Sequence, residues 1–236
     1  MKPNNDNEYS GLQELINTEV QKNFNQHIVH LSLRSVLKPK KVIDFGAGIG
    51  TLSKIFIETY DINPICLEID SKNTQMLLER NLEVVKSLES LPSDTDLIFS
   101  SNVLEHIEDD LSILELMYKN LRNQGHIFLF LPAKQMLWSK LDEILGHYRR
   151  YEVSDIKLKC QKAGFQIKEV YFVDSGGFFA SCLMKLLGYN PDSGIGSQKS
   201  LIFYDKWLFP VSKVLDSLGM KYLVGKNIAI LAQKNI

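Results

Sequence analysis

No stretch of this chain approaches the roughly 18 to 20 consecutive apolar residues that a membrane-spanning helix needs. The N-terminus, Met1-Lys2-Pro3-Asn4-Asn5-Asp6-Asn7-Glu8, has no apolar signal core and reads as a frayed tail. Cysteine is scarce. Cys66, Cys160 and Cys182 are scattered, with no metal-ligand or redox spacing, and read as buried, reduced thiols. The net charge is only −1 and there is no long basic stripe, which argues against nucleic acid as a partner. No internal repeat is present. These absences describe a soluble, cytoplasmic protein. What remains is ordinary for a globular domain: 236 residues, 44% hydrophobic and 23% charged, enough for a sizeable core.

Apolar periodicity predicts one helical stretch over 11–36, ended by Pro39. Strands follow at 41–45, 63–68, 82–86, 96–100, 126–131, 165–172 and 227–233. Helices are expected at about 51–59, 71–80, 108–122 and 154–163, with Asp109 or Asp110 capping the third. Alternating strands and helices imply right-handed crossovers and a mainly parallel, Rossmann-like α/β sheet with helices on both faces. Two aromatic-rich segments, 132–152 and 174–225, stand outside the alternation. They read as insertions on the substrate side of a single domain spanning 1–236, with 1–38 as an N-terminal helical cap. Ser193-Gly194-Ile195-Gly196-Ser197 looks like a mobile link.

The chemistry centres on Val42-Ile43-Asp44-Phe45-Gly46-Ala47-Gly48-Ile49-Gly50, a buried strand running into a glycine turn before a helix at Thr51. Glycines allow a sharp turn and let a ligand approach bare main chain. The new helix offers free N–H groups at its start. A dinucleotide site would read G-x-G-x-x-G, but Thr51 stands where the third glycine belongs. Asp44 is a carboxylate on a buried strand and needs partners. Glu68 ends the second strand 22 residues after Gly46, near the spacing of roughly 20 expected of an acid that holds a ribose diol.

Val42 to Gly50, Ile65-Cys66-Leu67-Glu68-Ile69-Asp70, and Asp96-Leu97-Ile98-Phe99-Ser100-Ser101-Asn102-Val103-Leu104-Glu105-His106-Ile107 resemble, in order and spacing, the motifs of class I S-adenosylmethionine-dependent methyltransferases. The resemblance implies a seven-stranded sheet whose last strand is antiparallel to the rest, and S-adenosylmethionine as cofactor. It assigns Asp44 and the backbone of Gly46, Ala47 and Gly48 to the methionine end, Glu68 to the ribose hydroxyls and Ile69 to the adenine face. Ser87 stands where members carry an acid for the adenine amino group, leaving a backbone amide such as Leu88's. Ser101 and Asn102 would line the methionine side. The subgroup suggested is bacterial and similar to the ubiquinone-pathway enzymes. Some of those relatives bind a divalent metal through Glu-x-x-Glu-His. Here Asn102, a poorer and neutral ligand, replaces the first Glu, so no metal is expected.

Methyl transfer to a hydroxyl requires a base. His106 and His147 are the candidates, with His147 favoured for its place in an insertion that overhangs the pocket. Trp138, Tyr148, Arg149 and Arg150 are candidate acceptor contacts. The arginines could clamp an anionic group, or pair with Asp142 and Glu143 to fix the loop. The segment 177–187 is apolar nearly all round. It reads either as a helix buried in protein or as a greasy lid for a lipophilic acceptor with peripheral membrane contact. Leu208, Val211, Leu215 and Leu218 form a second stripe, with Pro210 opening its helix. The expected activity is O-methylation of a small-molecule or lipid-linked acceptor. The alternatives are a non-catalytic S-adenosylmethionine-binding regulatory protein and an RNA methyltransferase.

Overall fold

The computed structural model describes residues 11–36, 38–87, 90–186 and 198–235. The expected tail, Leu88 and the 193–197 link lie outside them. In chain order the elements are α1 (Gly11–Thr18), α2 (Lys22–Leu33), β1 (Val42–Phe45), α3 (Thr51–Tyr60), β2 (Ile65–Leu67), α4 (Ser71–Glu79), β3 (Val84–Val85), β4 (Thr95–Ser101) and α5 (Asp110–Asn120). There follow β5 (Leu121–Pro132), α6 (Lys140–Ile144), α7 (Val153–Lys162), β6 (Phe165–Val173), α8 (Ser175–Leu186), α9 (Gln198–Phe203), α10 (Phe209–Ser217) and β7 (Asn227–Lys234). A π turn, Tyr204–Leu208, joins α9 to α10, and Pro210 lies in the first turn of α10, where its missing N–H costs nothing.

The sheet has seven strands in the order β3-β2-β1-β4-β5-β7-β6. β7 runs antiparallel to β5 and β6, and the other pairs are parallel. The doubly wound sheet and its reversed last strand are therefore present as the sequence implied. All four residues of β1 are buried, because parallel strands are covered on both faces. Alternation divides the side chains. Ile43, Phe45, Ile98 and Leu129 meet Leu114, Met117, Ile156 and Cys160 from α5 and α7. Val42, Leu97, Phe99 and Phe128 meet Ile28, Val29 and Phe56 from α2 and α3. Phe99 stacks on Phe128 at 5.8 Å, and Phe56 meets Phe99 edge-on at 5.2 Å, the two arrangements that aromatic quadrupoles favour.

The N-terminal segment departs from the single helix that periodicity predicts. It breaks between Thr18 and Lys22. The new helix start is bound from far away: Asp205 of the π turn accepts hydrogen bonds from the backbone N–H groups of Asn23 (3.0 Å) and Phe24 (2.8 Å). Such a long-range cap leaves no trace in local sequence, since 182 residues separate the partners. Replacing Asp205 with Ala should cost about 1–2 kcal/mol, as removing a cap does. In a chain this size that lowers Tm by roughly 3–8 °C. Calorimetry on the purified variant checks this, and an unchanged Tm would remove Asp205 as the anchor of α2.

Candidate active site

Strand order reverses between β1 and β4, so the turns after these two strands diverge at the carboxyl edge of the sheet and open a crevice. Gly46 (φ +73°), Gly48 (φ +56°) and Gly50 (φ +81°) occupy left-handed backbone, which side chains with a Cβ rarely adopt. A Cβ at Gly46 would collide with the side chain of Val103, just past β4. One at Gly50 would press into Leu77 and Leu82. Over Gly48 lies Leu15 of α1, 3.1 Å from where a Cβ would stand. Glu19, just beyond α1, makes a forked pair with Arg80 at 2.7 and 3.1 Å, which ties the N-terminal segment to the end of α4 beside the turn.

Glu68 ties the glycine turn to the end of β2, on the side of β1 away from β4. Its Oε2 accepts from Gly48 N–H at 2.8 Å, and its Oε1 accepts from Ile69 N–H at 2.9 Å and Asp70 N–H at 2.8 Å. Burial pushes its carboxyl above the usual range, and these backbone donors oppose that shift. Beside it Ile69 is 62% exposed, an apolar side chain left open at the rim. Asp44 lies beneath the turn, fully buried, where Ser53 Oγ of α3 donates to it at 2.6 Å. Burial raises its carboxyl to about 7, against the pull of Ser53. Asp44 thus reaches the start of α3 from below, while the backbone N–H groups of Gly46 and Ala47 donate to the Leu67 carbonyl at 2.8 and 3.1 Å and that of Gly48 to Glu68. Ser87 shares a 2.9 Å hydrogen bond with Ser90. Asn102 is exposed at φ +53°, its amide 3.4 Å from Ser101 Oγ.

Several of the residues expected on the acceptor side gather around the short 3-10 turn Leu104–His106. The His106 and His147 rings meet edge-on with centroids 4.6 Å apart. His147 Nδ1 lies 2.9 Å from Asp142 Oδ1. Although burial works to raise the Asp142 carboxyl, His147 and Arg150 hold it down at about 2. Burial, with His147 beside it, pushes His106 down to about 4. Glu105, which the sequence reading gave no role, is completely buried, and neither carboxylate oxygen has a hydrogen-bond partner. Burial drives it up to about 8. The ligand atoms of Glu105, His106 and His147 all lie within 4.8 Å of one another. The Glu105-His106 pair was visible in the sequence, but its meeting with His147 depends on the insertion folding back. Tyr148 N–H donates to the Glu105 carbonyl at 2.7 Å and secures that return.

The two arginines are held within the protein. Arg149 donates to the carbonyls of Ile107 (2.9 Å) and Glu108 (2.7 Å) and pairs with buried Asp110. Arg150 donates to Asp142 (2.8 Å) and the Ala133 carbonyl. The expected loop-fixing pairing with Asp142 and Glu143 holds only for Arg150 and Asp142, and that pair is buried; Arg149 instead pairs with Asp110, and Glu143 meets Trp138. Trp138 Nε1 lies 3.4 Å from Glu143 at the exposed edge. Two open grooves of about 680 and 700 Å³ border α2 and share no residue with either cluster.

A family model described as a methyltransferase domain matches residues 17–170. The chain belongs to that family. No curated protein sequence matches it. Among solved structures it is similar to a putative sarcosine dimethylglycine methyltransferase from Galdieria sulphuraria, with TM-score 0.61, 14% identity, and 91% of this chain and 86% of that one covered. Phosphoethanolamine N-methyltransferase 2 from Haemonchus contortus, in complex with S-adenosyl-L-methionine, has TM-score 0.59 and 17% identity over 91% of this chain and 53% of that one. A cyclopropane synthase from Mycobacterium tuberculosis has TM-score 0.57 and 16% identity over 87% and 82%. At such identity the likeness is one of fold. Fold and family together are those of S-adenosylmethionine-dependent methyltransferases, and among the described residues of this methyltransferase no helix is long and apolar enough to cross a membrane.

Asp44 gives a pH test. Its carboxyl is raised in the fold from 3.8 to about 7. The folded state therefore favours the neutral form, an advantage fully present below about pH 4 and lost as pH rises through about 7. Asp44→Asn, which keeps an acceptor for Ser53, should flatten that decline and raise Tm relative to wild type more at pH 8 than at pH 5. Parallel Tm curves for the two proteins across that range would show that the carboxyl does not titrate there.

Proposed function

We propose that this methyltransferase transfers the methyl group of S-adenosylmethionine to a hydroxyl of a small or lipid-linked acceptor. The site suits the cofactor. Glu68 is held by three backbone N–H groups, one oxygen on the glycine turn and the other on the end of β2, and such a carboxylate can also accept a vicinal diol. Exposed Ile69 offers an apolar face to an adenine ring. Asp44 and the backbone of Gly46, Ala47 and Gly48 serve the methionine end, Ser101 and Asn102 line its side, and Ser87 lies toward the adenine amino group. When bound, the cofactor supplies a methyl group activated on a sulfonium. The protein's part is to align the acceptor oxygen in line with it and to take up the proton.

The observation that carries the acid–base reading is the His147–Asp142 contact at 2.9 Å. A carboxylate on Nδ1 fixes the imidazole's orientation and tautomer and turns Nε2 to the acceptor, as the orienting acid does in other histidine bases. His106, depressed to about 4, is neutral and the weaker base. Arg150 keeps Asp142 ionised and in place.

One observation favours a second reading of the same trio. A fully buried carboxylate without a partner is costly, and Glu105 is one. Two imidazoles and a carboxylate form a donor set for a divalent transition metal, with Asp142 orienting the His147 ring from outside. A metal there would lower the pKa of the acceptor hydroxyl.

Two measurements test these readings. Glu68→Ala should weaken S-adenosylmethionine binding at least tenfold in calorimetry, and unchanged affinity would reject the cofactor site. His147→Ala should retain that affinity while S-adenosylhomocysteine release, with phenolic or prenol-linked hydroxyl acceptors, falls by about 10²–10⁴. Full activity in both His147→Ala and His106→Ala would sink the base. If chelation with EDTA abolishes turnover and Zn²⁺ or Mn²⁺ restores it, with metal binding lost in Glu105→Gln, the metal reading replaces it.

A further inference from the structure

Helix α10 packs inside out. Its buried positions are Phe209, Ser212 and Asp216, while Val211, Val214 and Leu218 face solvent, the last 78% exposed. The polar side is turned inward to hold a network. Asp216 accepts from the backbone N–H groups of Asp174 (2.9 Å) and Ser175 (3.2 Å). Ser212 Oγ bonds Asp174 (2.9 Å) and Gly176 N–H (2.9 Å), and Tyr204 Oη also donates to Asp174. Asp174, at φ +66°, sits at the sharp bend between β6 and α8.

With the network inside, the apolar rows go outside. The expected helix over 177–187 is described to Leu186, as part of α8, but it is not buried as an all-apolar helix normally is. Phe179, Leu183, Met184 and Leu186 are exposed. α8 packs on α10 where Gly176 meets Ser212, so both outward rows belong to one helical layer. Trp207 (67% exposed) and Leu208 extend it across the π turn. Isolated exposed apolar residues need no explanation, but a contiguous layer of them marks a binding surface.

Charge identifies the occupant. Residues 175–226 hold six lysines, at 185, 199, 206, 213, 221 and 226. The same stretch holds three carboxylates, at 192, 205 and 216; Asp205 and Asp216 are buried in hydrogen bonds. Lys199, Lys206 and Lys213 are exposed; in sequence Lys206 precedes Trp207 and Lys213 precedes Val214, and Lys213 also borders the groove along α2. An apolar face with cationic neighbours and inward-turned acids complements an anionic lipid surface, where acyl boundary and headgroup charge are met together. The overall charge of −1 conceals this because the acidic excess lies elsewhere.

We infer that the α8–α10 layer docks this methyltransferase on anionic lipid bilayers. The inference extends the acceptor reading above, since a lipid-linked acceptor reaches the site from such a surface, but its test does not use turnover. Full-length protein is sedimented with vesicles of phosphatidylcholine containing 30% phosphatidylglycerol, as a chosen probe, and with phosphatidylcholine alone. Binding to the first, weak binding to the second and release at high salt are expected. Lys206→Glu and Lys213→Glu should each weaken binding at least about fivefold, the factor for about 1 kcal/mol per lysine at an anionic surface. Val211→Asp with Leu218→Asp should abolish it. Calorimetric S-adenosylmethionine affinity should stay at the wild-type value in all of these, which confirms that they fold. Failure of that affinity in wild type would strike the cofactor reading and leave this one standing. No sedimentation with the anionic vesicles overturns the inference. So does a wild-type dimer in light scattering that Leu218→Asp converts to monomer, because the layer would then be covered by a second copy. Should the aspartate variants fail to fold, the lysine variants and the salt dependence decide alone.

Discussion

Glu68 accepts hydrogen bonds from the main chain of both the glycine turn after β1 and the end of β2, and the geometry of the site follows from that arrangement. The N–H of Gly48 comes from the turn after β1, and those of Ile69 and Asp70 come from the end of β2. A buried carboxylate held this way cannot relax without freeing donors on both strands. The turn must therefore keep its left-handed glycines, and β2 must end where it does. Asp70 then caps α4 through Lys72 and Asn73 N–H, so the same few residues also set the direction of the next helix. Asp44 and Ser53 fix the opposite side of the turn from below.

The parts of the fold governed by local rules were readable from the sequence. The β1 strand, its glycines and the helix at Thr51 follow from backbone sterics. The alternation over 41–172 follows from periodicity, and Asp109 caps α5 through Ser112. The class and the reversed β7 came through the resemblance of three ordered motifs. Features made by long-range polar contacts were not readable. The break before Lys22 needs Asp205, and the role of Glu105 needs His147 to come back over it. The fate of Arg149 and Arg150 turns on Asp110 and Asp142, whose burial no local pattern reports. Of the stripe that spacing predicts, Leu208, Val211 and Leu218 face outward, and only Leu215 is half-buried. Amphipathic periodicity locates the two sides of a helix. Which side the protein keeps is decided by the partners waiting for it, here Asp174 and the backbone beyond it.

The two insertions divide the remaining work. The first carries Asp142 and His147 against Glu105 and packs tightly: Tyr151 is buried and its hydroxyl donates to Asp110 at 2.8 Å, where Lys159 and Arg149 also converge. Its charges are neutralised internally, so the histidines are presented by a rigid frame. Among its described residues the second insertion encloses its carboxylates and leaves lysines and apolar side chains outward. One therefore holds a rigid cluster of side chains, while the other shapes a surface.

The reversed final strand also bears on how the molecule is made. In the finished sheet β6 has a single neighbour, β7, and β7 lies between β6 and β5. While the chain is being synthesised, β5 and β6 both emerge with an open edge, and neither can complete its pairing until residues 227–234 arrive. The segment that builds the outward apolar layer must be translated in that interval. The nascent protein thus exposes two unpaired strand edges and a greasy surface together, the combination most prone to misassociation.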